Sequence, residues 1–193
     1  MSESPDLDAG KPGVPALFLD RDGVLIENRP DYVRQWSEAV ILPGVVAALA
    51  RLHASPLKFV IVTNQSAVGR GLIPLAEAQA INEALAAEIV AGGGRVDGVY
   101  MCPHTPEENC SCRKPRPGLI LQAARELTLD LRASTLIGDA ESDIQAARAA
   151  GLGRCALVRT GRGQDQEPAL STSGHDAVAV FDDLAQALRT LYP

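Results

Sequence analysis

The sequence predicts an α/β fold with three layers, helices covering both faces of a mostly parallel sheet. Two observations lead there. Short apolar runs alternate along the 193-residue chain with longer segments of helical period. Several of these runs end abruptly in polar residues, as strands do where they leave a buried sheet. Strand–helix alternation gives right-handed βαβ units and a sheet buried on both sides. The expected architecture is therefore a Rossmann-like three-layer sandwich. A hydrophobic content of 46% with only 4% aromatics supplies its core, chiefly from Ala, Val, Leu and Ile.

In order, residues 1–15 are polar with Gly and Pro, and are expected to fray. They lack the basic and apolar regions of a signal peptide, which makes the expected location cytoplasmic. Residues 16–193 are expected to form a single domain. Ala16 to Asp20 is bounded by Pro15 and Gly23 and reads as a buried strand. A polar loop, Glu27 to Ala39, leads to Pro43-Gly44 and a helix from Val45 to His53. Leu57 to Val62 is a second strand, ending in Thr63-Asn64-Gln65-Ser66. Gly69 and Gly71 flank Arg70 in a turned loop. Pro74 opens a helix that runs to Val90 and stops at Gly92-Gly93-Gly94. Val96 to Met101 is a third strand, and a helix follows from Gly118 to about Leu129. Ser134 to Gly138 is a fourth strand, followed by a helix from Ile144 to Ala150. Arg154 to Val158 is a fifth strand, and Arg159 to Gly174 reads as a surface loop. Ala177 to Val180 is a short last strand and Asp183 to Leu191 a last helix.

Three strands end in reactive sets: Asp20 with Asp22, Thr63 with Asn64, and Asp139 with Asp143. A parallel sheet gathers such ends at one edge, where open α/β sheets bind ligands. Crowded carboxylates need a cation between them or a proton on one of them. Between the second and third sets lies a Cys/His segment. Cys102, His104, Cys110 and Cys112 offer three thiolates and one imidazole, a donor set that closes a tetrahedral Zn²⁺ shell with no open position. That makes the expected zinc structural. Cys155, in an apolar strand, reads as a core residue.

Asp20-Arg21-Asp22-Gly23-Val24, Thr63-Asn64-Gln65-Ser66, Lys114-Pro115 and Gly138-Asp139-Ala140-Glu141-Ser142-Asp143 resemble, in order, the four motifs of the haloacid dehalogenase (HAD) superfamily of phosphatases. The resemblance runs from about Ala16 to Leu191. Within the superfamily, the Cys/His segment with Arg113-Lys114-Pro115 resembles the subgroup of heptose bisphosphate phosphatases and histidinol-phosphatases. The resemblance implies an HAD-like fold and an aspartyl-phosphate mechanism. Asp20 would attack phosphorus. Asp22 would protonate the leaving oxygen and then take a proton from water. Thr63 and Lys114 would bind the phosphoryl group. Mg²⁺ would take the Asp20 carboxylate, the Asp22 backbone carbonyl and Asp139, oxygen ligands that suit a hard ion. Asp143 completes the implied magnesium set in one of three roles: holding a metal-bound water, pairing with Lys114, or acting as an acid at a helix N-terminus.

For the substrate, Asn64, Gln65, Ser66 and Arg113 are the expected contacts, with Asn64 and Gln65 alternatively only holding their loop. Arg113 could fork onto a second anionic group, and the rim would also include Glu27 to Tyr32, Arg70 and Arg116. The stretches from Asp22 to Pro43 and from Ser66 to Met101 are too short for an added cap domain. Val24 and Ala140 depart from the Thr and Lys usual at those places in the heptose enzymes, which leaves a different sugar phosphate or relaxed specificity as alternatives. The expected ligand is a small phosphorylated molecule. A net charge of −6 and the lack of a basic stripe argue against nucleic acid. No apolar stretch is long enough to span a bilayer. The rival class is a non-catalytic, zinc-stabilised binding module. A monomer is expected.

Overall fold

The computed structural model describes residues 13–172 and 178–193. Six strands form one sheet: β1 (Ala16–Leu19), β2 (Lys58–Asn64), β3 (Gly98–Cys102), β4 (Thr135–Gly138), β5 (Arg154–Val158) and β6 (Ala179–Phe181). Their order is β3-β2-β1-β4-β5-β6 and every pairing is parallel. From β1 the chain builds outward through β2 to β3. It then returns to the other side of β1 for β4, β5 and β6. The order therefore reverses between β1 and β4, which is where a doubly wound sheet opens a crevice beyond its carboxyl ends.

Seven helices complete the layers: α1 (Val45–Arg51), α2 (Ser66–Gly69), α3 (Leu75–Ala91), α4 (Gly118–Leu127), α5 (Glu141–Ala149), α6 (Gly163–Thr172) and α7 (Leu184–Leu191). Alternate residues of each strand serve opposite faces. Leu17, Leu19, Phe59, Ile61 and Ile137 pack on one side with Leu49 of α1, Ile81 and Leu85 of α3 and Leu188 of α7. Ala16, Phe18, Val60, Val62 and Leu136 pack on the other with Leu119 and Ile120 of α4 and Ala146 of α5. Both faces of β1 are sealed, so its four residues are all buried and the next residue, Asp20, emerges from the centre of the sheet.

The expected three-layer parallel architecture is observed. After β1 the chain folds back as a small flap. Ile26 bridges to Ile41, and Glu27 N–H donates to Val40 O at 2.8 Å. No helix among the described residues is long and apolar enough to cross a membrane.

Three local expectations are corrected. The stretch from Arg159, read as a surface loop, contains α6, and residues 173–174 of it lie outside the described residues. Its sequence carries no clear apolar period, and among its described side chains Leu170 packs in the apolar cluster with Ile144 and Leu157. Without such a period there is no amphipathic signature to read. The helix α5 begins at Glu141 rather than Ile144, which puts Asp143 in its first turn. The loop around Gly69 starts with the single turn α2. The expected fraying concerns residues 1–15, of which 1–12 lie outside the described residues. Val14, however, exchanges backbone hydrogen bonds of 3.0 Å with Thr128 and Asp130.

Candidate active site

Each predicted motif arrives at the crevice on its own strand end. Asp20 follows β1, Thr63 and Asn64 end β2, and Asp139 follows β4. Lys114 enters from the loop between β3 and α4 and is 4% exposed. Its ammonium lies 2.8 Å from Asp20 Oδ1, 2.6 Å from Asp143 Oδ1 and 2.9 Å from the Val62 carbonyl, to which it donates. Burial works to discharge this lysine, but Asp143 and Asp20 prevail and hold its pKa above the usual lysine range. Asn64 fixes the lysine's backbone from both sides. Its Oδ1 accepts from Lys114 N–H at 3.1 Å and its Nδ2 donates to Lys114 O at 3.0 Å. The amide of Asn64 is thus occupied in holding the loop.

Asp20 is engaged twice on one oxygen, by an ion pair and by a hydrogen bond. Lys114 and the Arg21 backbone N–H, the latter at 2.7 Å, both reach Oδ1, and neither contact is made to Oδ2. Burial pushes the Asp20 pKa up to about 6; Lys114 opposes the rise and Asp143 adds to it. Asp139 is fully buried, and burial followed by the charge of Asp20 raises its pKa as well. Space for its carboxylate is made by two glycines in left-handed conformations, Gly23 (φ +85°) and Gly161 (φ +62°). A Cβ on either would lie 2.2 or 2.4 Å from Asp139 Oδ2. Asp143 is also fully buried, and its Oδ2 accepts from the Ala140 N–H at 3.1 Å. Two of the roles expected of it, helix N-terminal acid and partner of Lys114, are therefore combined in one side chain. Its Oδ1 meets Lys114 as an ion pair yet receives no well-angled hydrogen bond.

Asp20, Asp139 and Asp143 present oxygens within 4.8 Å of one another. A hard divalent cation fits this set on two counts. The donors are all carboxylate oxygen. One of them, Asp143 Oδ1, is a buried acceptor left short of a hydrogen bond.

Asp22 stands beside Asp20 at the mouth, its side chain one-fifth exposed. It accepts from Arg21 Nε and Nη2, each at 3.1 Å, and from Gln65 Nε2 at 2.8 Å. Gln65 Nε2 also donates to Thr63 Oγ1 at 2.9 Å. The crevice has a volume of about 450 Å³. Ser66, Arg113, Arg29, Arg70 and Arg162 line it beside the acids. Arg113 donates to the His104 carbonyl at 3.3 Å, while Arg116 turns back to the carbonyls of Asn109 and Cys110.

Two residues at this centre escaped the sequence reading. Arg162 donates from Nη2 to Asp139 Oδ1 at 2.9 Å and from its backbone N–H to Oδ2 at 2.9 Å. It sits in the segment read as a plain loop, so no motif marked it. Arg21 lies inside the first motif and is only 1% exposed. The available signal was an arginine flanked by two acids at a strand end, a place where its charge must be matched once buried.

The Cys/His segment forms a compact cluster at the end of β3. The sulfurs of Cys102, Cys110 and Cys112 lie 3.3 to 3.5 Å apart, and His104 Nδ1 lies 3.4 Å from Cys112 Sγ and 3.6 Å from Cys102 Sγ. These are not disulfide distances, and the four cysteines are free. With Zn–S bonds of about 2.3 Å, the sulfurs of a tetrahedral shell stand about 3.8 Å apart, so the cluster is slightly tighter than a filled site. Burial raises the Cys102 pKa. At Cys110 burial pulls the same way, but hydrogen bonding from Cys112 and the backbone brings it down to about 7. Cys155 is half-buried in β5 and packs on two of the apolar clusters.

Known proteins share this arrangement. The sequence model of haloacid dehalogenase-like hydrolases matches residues 15–148, and a related hydrolase model matches residues 111–187. A D-glycero-beta-D-manno-heptose-1,7-bisphosphate 7-phosphatase of Pseudomonas putida is 38% identical over 175 residues, covering 91% of this chain and 98% of that protein. A D-glycero-alpha-D-manno-heptose-1,7-bisphosphate 7-phosphatase of Mycobacterium tuberculosis is 40% identical over 174 residues, covering 87% of this chain and 86% of the relative. Among solved structures, a D,D-heptose 1,7-bisphosphate phosphatase from B. bronchiseptica, complexed with magnesium and phosphate, superposes with a TM-score of 0.84. It is 37% identical, and the match covers 92% of this chain and 97% of that one. With its motifs converging at the switch point of a parallel sheet and a family match across most of its length, the chain belongs to the haloacid dehalogenase-like hydrolases.

Proposed function

We propose that the chain is a magnesium-dependent phosphomonoester hydrolase that removes the 7-phosphate of a D-glycero-D-manno-heptose 1,7-bisphosphate through an aspartyl-phosphate. The observation that carries the reading is Asp20, whose Oδ1 is pinned by Lys114 and a backbone N–H while Oδ2 carries neither contact. That carboxylate is oriented as a nucleophile. Relatives named for this reaction cover most of the chain.

A phosphate monoester repels nucleophiles, so catalysis rests on positioning and charge neutralisation. Asp20 Oδ2 attacks phosphorus, and the bond from phosphorus to the leaving oxygen breaks. Asp22 gives its proton to that oxygen, releasing the alcohol. Asp22 then takes a proton from water, whose oxygen attacks the aspartyl phosphate and frees inorganic phosphate and Asp20. Lys114 and the Thr63 hydroxyl bind the phosphoryl oxygens during both transfers. Asp20, Asp139 and the Asp22 backbone carbonyl would hold Mg²⁺, with Asp143 beside them on Lys114 or on a metal-bound water. When bound, Mg²⁺ supplies divalent charge that offsets the carboxylates and the phosphoryl group.

The mouth supports a bisphosphate. Arg29, Arg70, Arg113 and Arg162 line it together with Ser66. Arginines favour a second anionic group and repel the ammonium of histidinol phosphate. Gln65 holds Asp22 and Asn64 holds Lys114, so both act on substrate through those neighbours. Cys102, His104, Cys110 and Cys112 bind a structural zinc that fixes the loop ahead of Arg113 and Lys114. The chain is read as acting as a monomer.

The test is kcat/KM on both anomers of heptose 1,7-bisphosphate, on histidinol phosphate and on other sugar phosphates, with and without Mg²⁺. A preference for a heptose bisphosphate of at least about tenfold is expected. A preference for histidinol phosphate, or a flat profile, overturns the substrate assignment. Binding without turnover of any ester overturns the enzyme.

A further inference from the structure

Arg21 sits between the two acids that the proposed reaction uses, and its side chain is directed at only one of them. The guanidinium grips Asp22 from Nε and Nη2, each at 3.1 Å. Its remaining arm, Nη1, donates to Asn82 Oδ1 at 2.8 Å. Asn82 is 5% exposed, lies in the middle of α3 and reaches in turn to the sulfur of Met101. A forked arginine with every arm held is a rigid support, which a lysine would not be. On its other side Asp22 accepts from Gln65 Nε2. The carboxylate is thus clamped on two sides while one-fifth of its side chain still faces the crevice. Burying a full guanidinium is costly unless its partner is worth holding. Nothing in the sheet or the core requires a charge there.

We propose that Arg21, anchored on Asn82, is a positioning residue that aims Asp22 at the leaving oxygen of the ester. The proposal rests on the assignment of Asp22 as the proton donor. It makes the middle residue of the first motif part of the proton-transfer apparatus, and it gives α3, which touches no reacting atom, a place in the chemistry. Arg21 itself transfers nothing. The proton passes from Asp22 to the alkoxide as the bond to phosphorus breaks.

The consequence is a dependence on the leaving group. An alkoxide is strongly basic and needs its proton as it departs. A nitrophenolate departs without one. The quantity to read is kcat/KM, which covers steps only as far as leaving-group departure and is blind to later hydrolysis of the aspartyl phosphate. It is measured on the full chain with Mg²⁺, on heptose 1,7-bisphosphate and on p-nitrophenyl phosphate. Asp22→Asn is the reference and should lose about 1,000-fold on the sugar ester and about tenfold on the aryl ester. Arg21→Met should lose about 100-fold on the sugar ester and about threefold on the aryl ester. Asn82→Leu, which removes only the anchor, should lose about tenfold and less than about twofold.

Equal losses on both esters in Arg21→Met and Asn82→Leu, or no loss on either, overturn the inference while Asp22→Asn keeps its selectivity. If Asp22→Asn itself shows no selectivity, the assignment of Asp22 fails and the inference falls with it. Should Arg21→Met not fold, Asn82→Leu alone decides by the same ratio.

Discussion

The centre around Asp20 and the cluster around Cys102 achieve order in opposite ways. The first takes its side chains from residues spread between Asp20 and Arg162, carried by five of the six strand ends and the loops beyond them. The second has all four of its side chains within residues 102–112. The centre is assembled by the whole sheet and is already balanced in part by protein cations, Lys114 against Asp20 and Asp143, and Arg162 against Asp139. The cluster has no such internal cation, and its thiols face one another at 3.3 to 3.5 Å. A distributed site is only as good as the fold that gathers it. A local one would depend on the ion it could hold. The two meet along the chain at Cys112-Arg113-Lys114.

This division predicts effects of different kind and size. Asp20→Asn should lower kcat by about 10,000-fold or more, with thermal unfolding no earlier than in the natural chain, because a buried charge has been removed. Near-natural turnover would sink the nucleophile assignment. Lys114→Met should cost about 1,000-fold in kcat. It should also cost about 3 kcal/mol of stability in denaturant titrations without Mg²⁺, since two buried acids lose their counter-charge. A stable, inactive variant would mean that the centre is not held together by this lysine.

Removing the zinc, or Cys110→Ser, tests whether the regions are separable. KM for the heptose bisphosphate should rise about tenfold through the displaced Arg113 and Lys114 loop, with an earlier melting transition. If kcat instead falls as far as in Asp20→Asn, the cluster belongs to the chemistry and the division fails. Metal analysis of protein purified without chelators should find near-stoichiometric zinc. The smallest effect is expected at Arg162. Its side chain is half exposed, and it competes for the Asp139 carboxylate. Arg162→Gln should tighten Mg²⁺ binding about threefold in calorimetric titration, a change as modest as half-exposed ion pairs give.

The legibility of the two regions follows from the same contrast. The cluster could be read from its donor set, because its three cysteines and histidine are neighbours in the chain. The acids could be read because parallel strands end at a common edge, and each motif marks one end. What spacing does not carry is cross-chain pairing. Arg162 reaches Asp139 from a segment with no motif and no clear apolar period, so neither its contact nor the helix after it left a pattern. The Arg21–Asn82 contact joins the first strand end to a helix 61 residues away. The strands were placed within a few residues because their cores are short, continuous apolar runs. The start of α5 was missed because its first turn is polar, filled by Glu141, Ser142 and Asp143.

The paired hydrogen bonds between Asn64 and the backbone of Lys114 carry a consequence for the entropy of turnover. Holding a long, flexible lysine in one rotamer costs up to about 2 kcal/mol of conformational freedom. Here β2 supplies that restraint when the chain folds, and the three oxygens around the ammonium complete it. The cost falls once, in folding, and is not repeated each time a phosphate arrives. The charge meets its substrate already at rest, so the activation entropy of the chemical step need contain no contribution from this side chain.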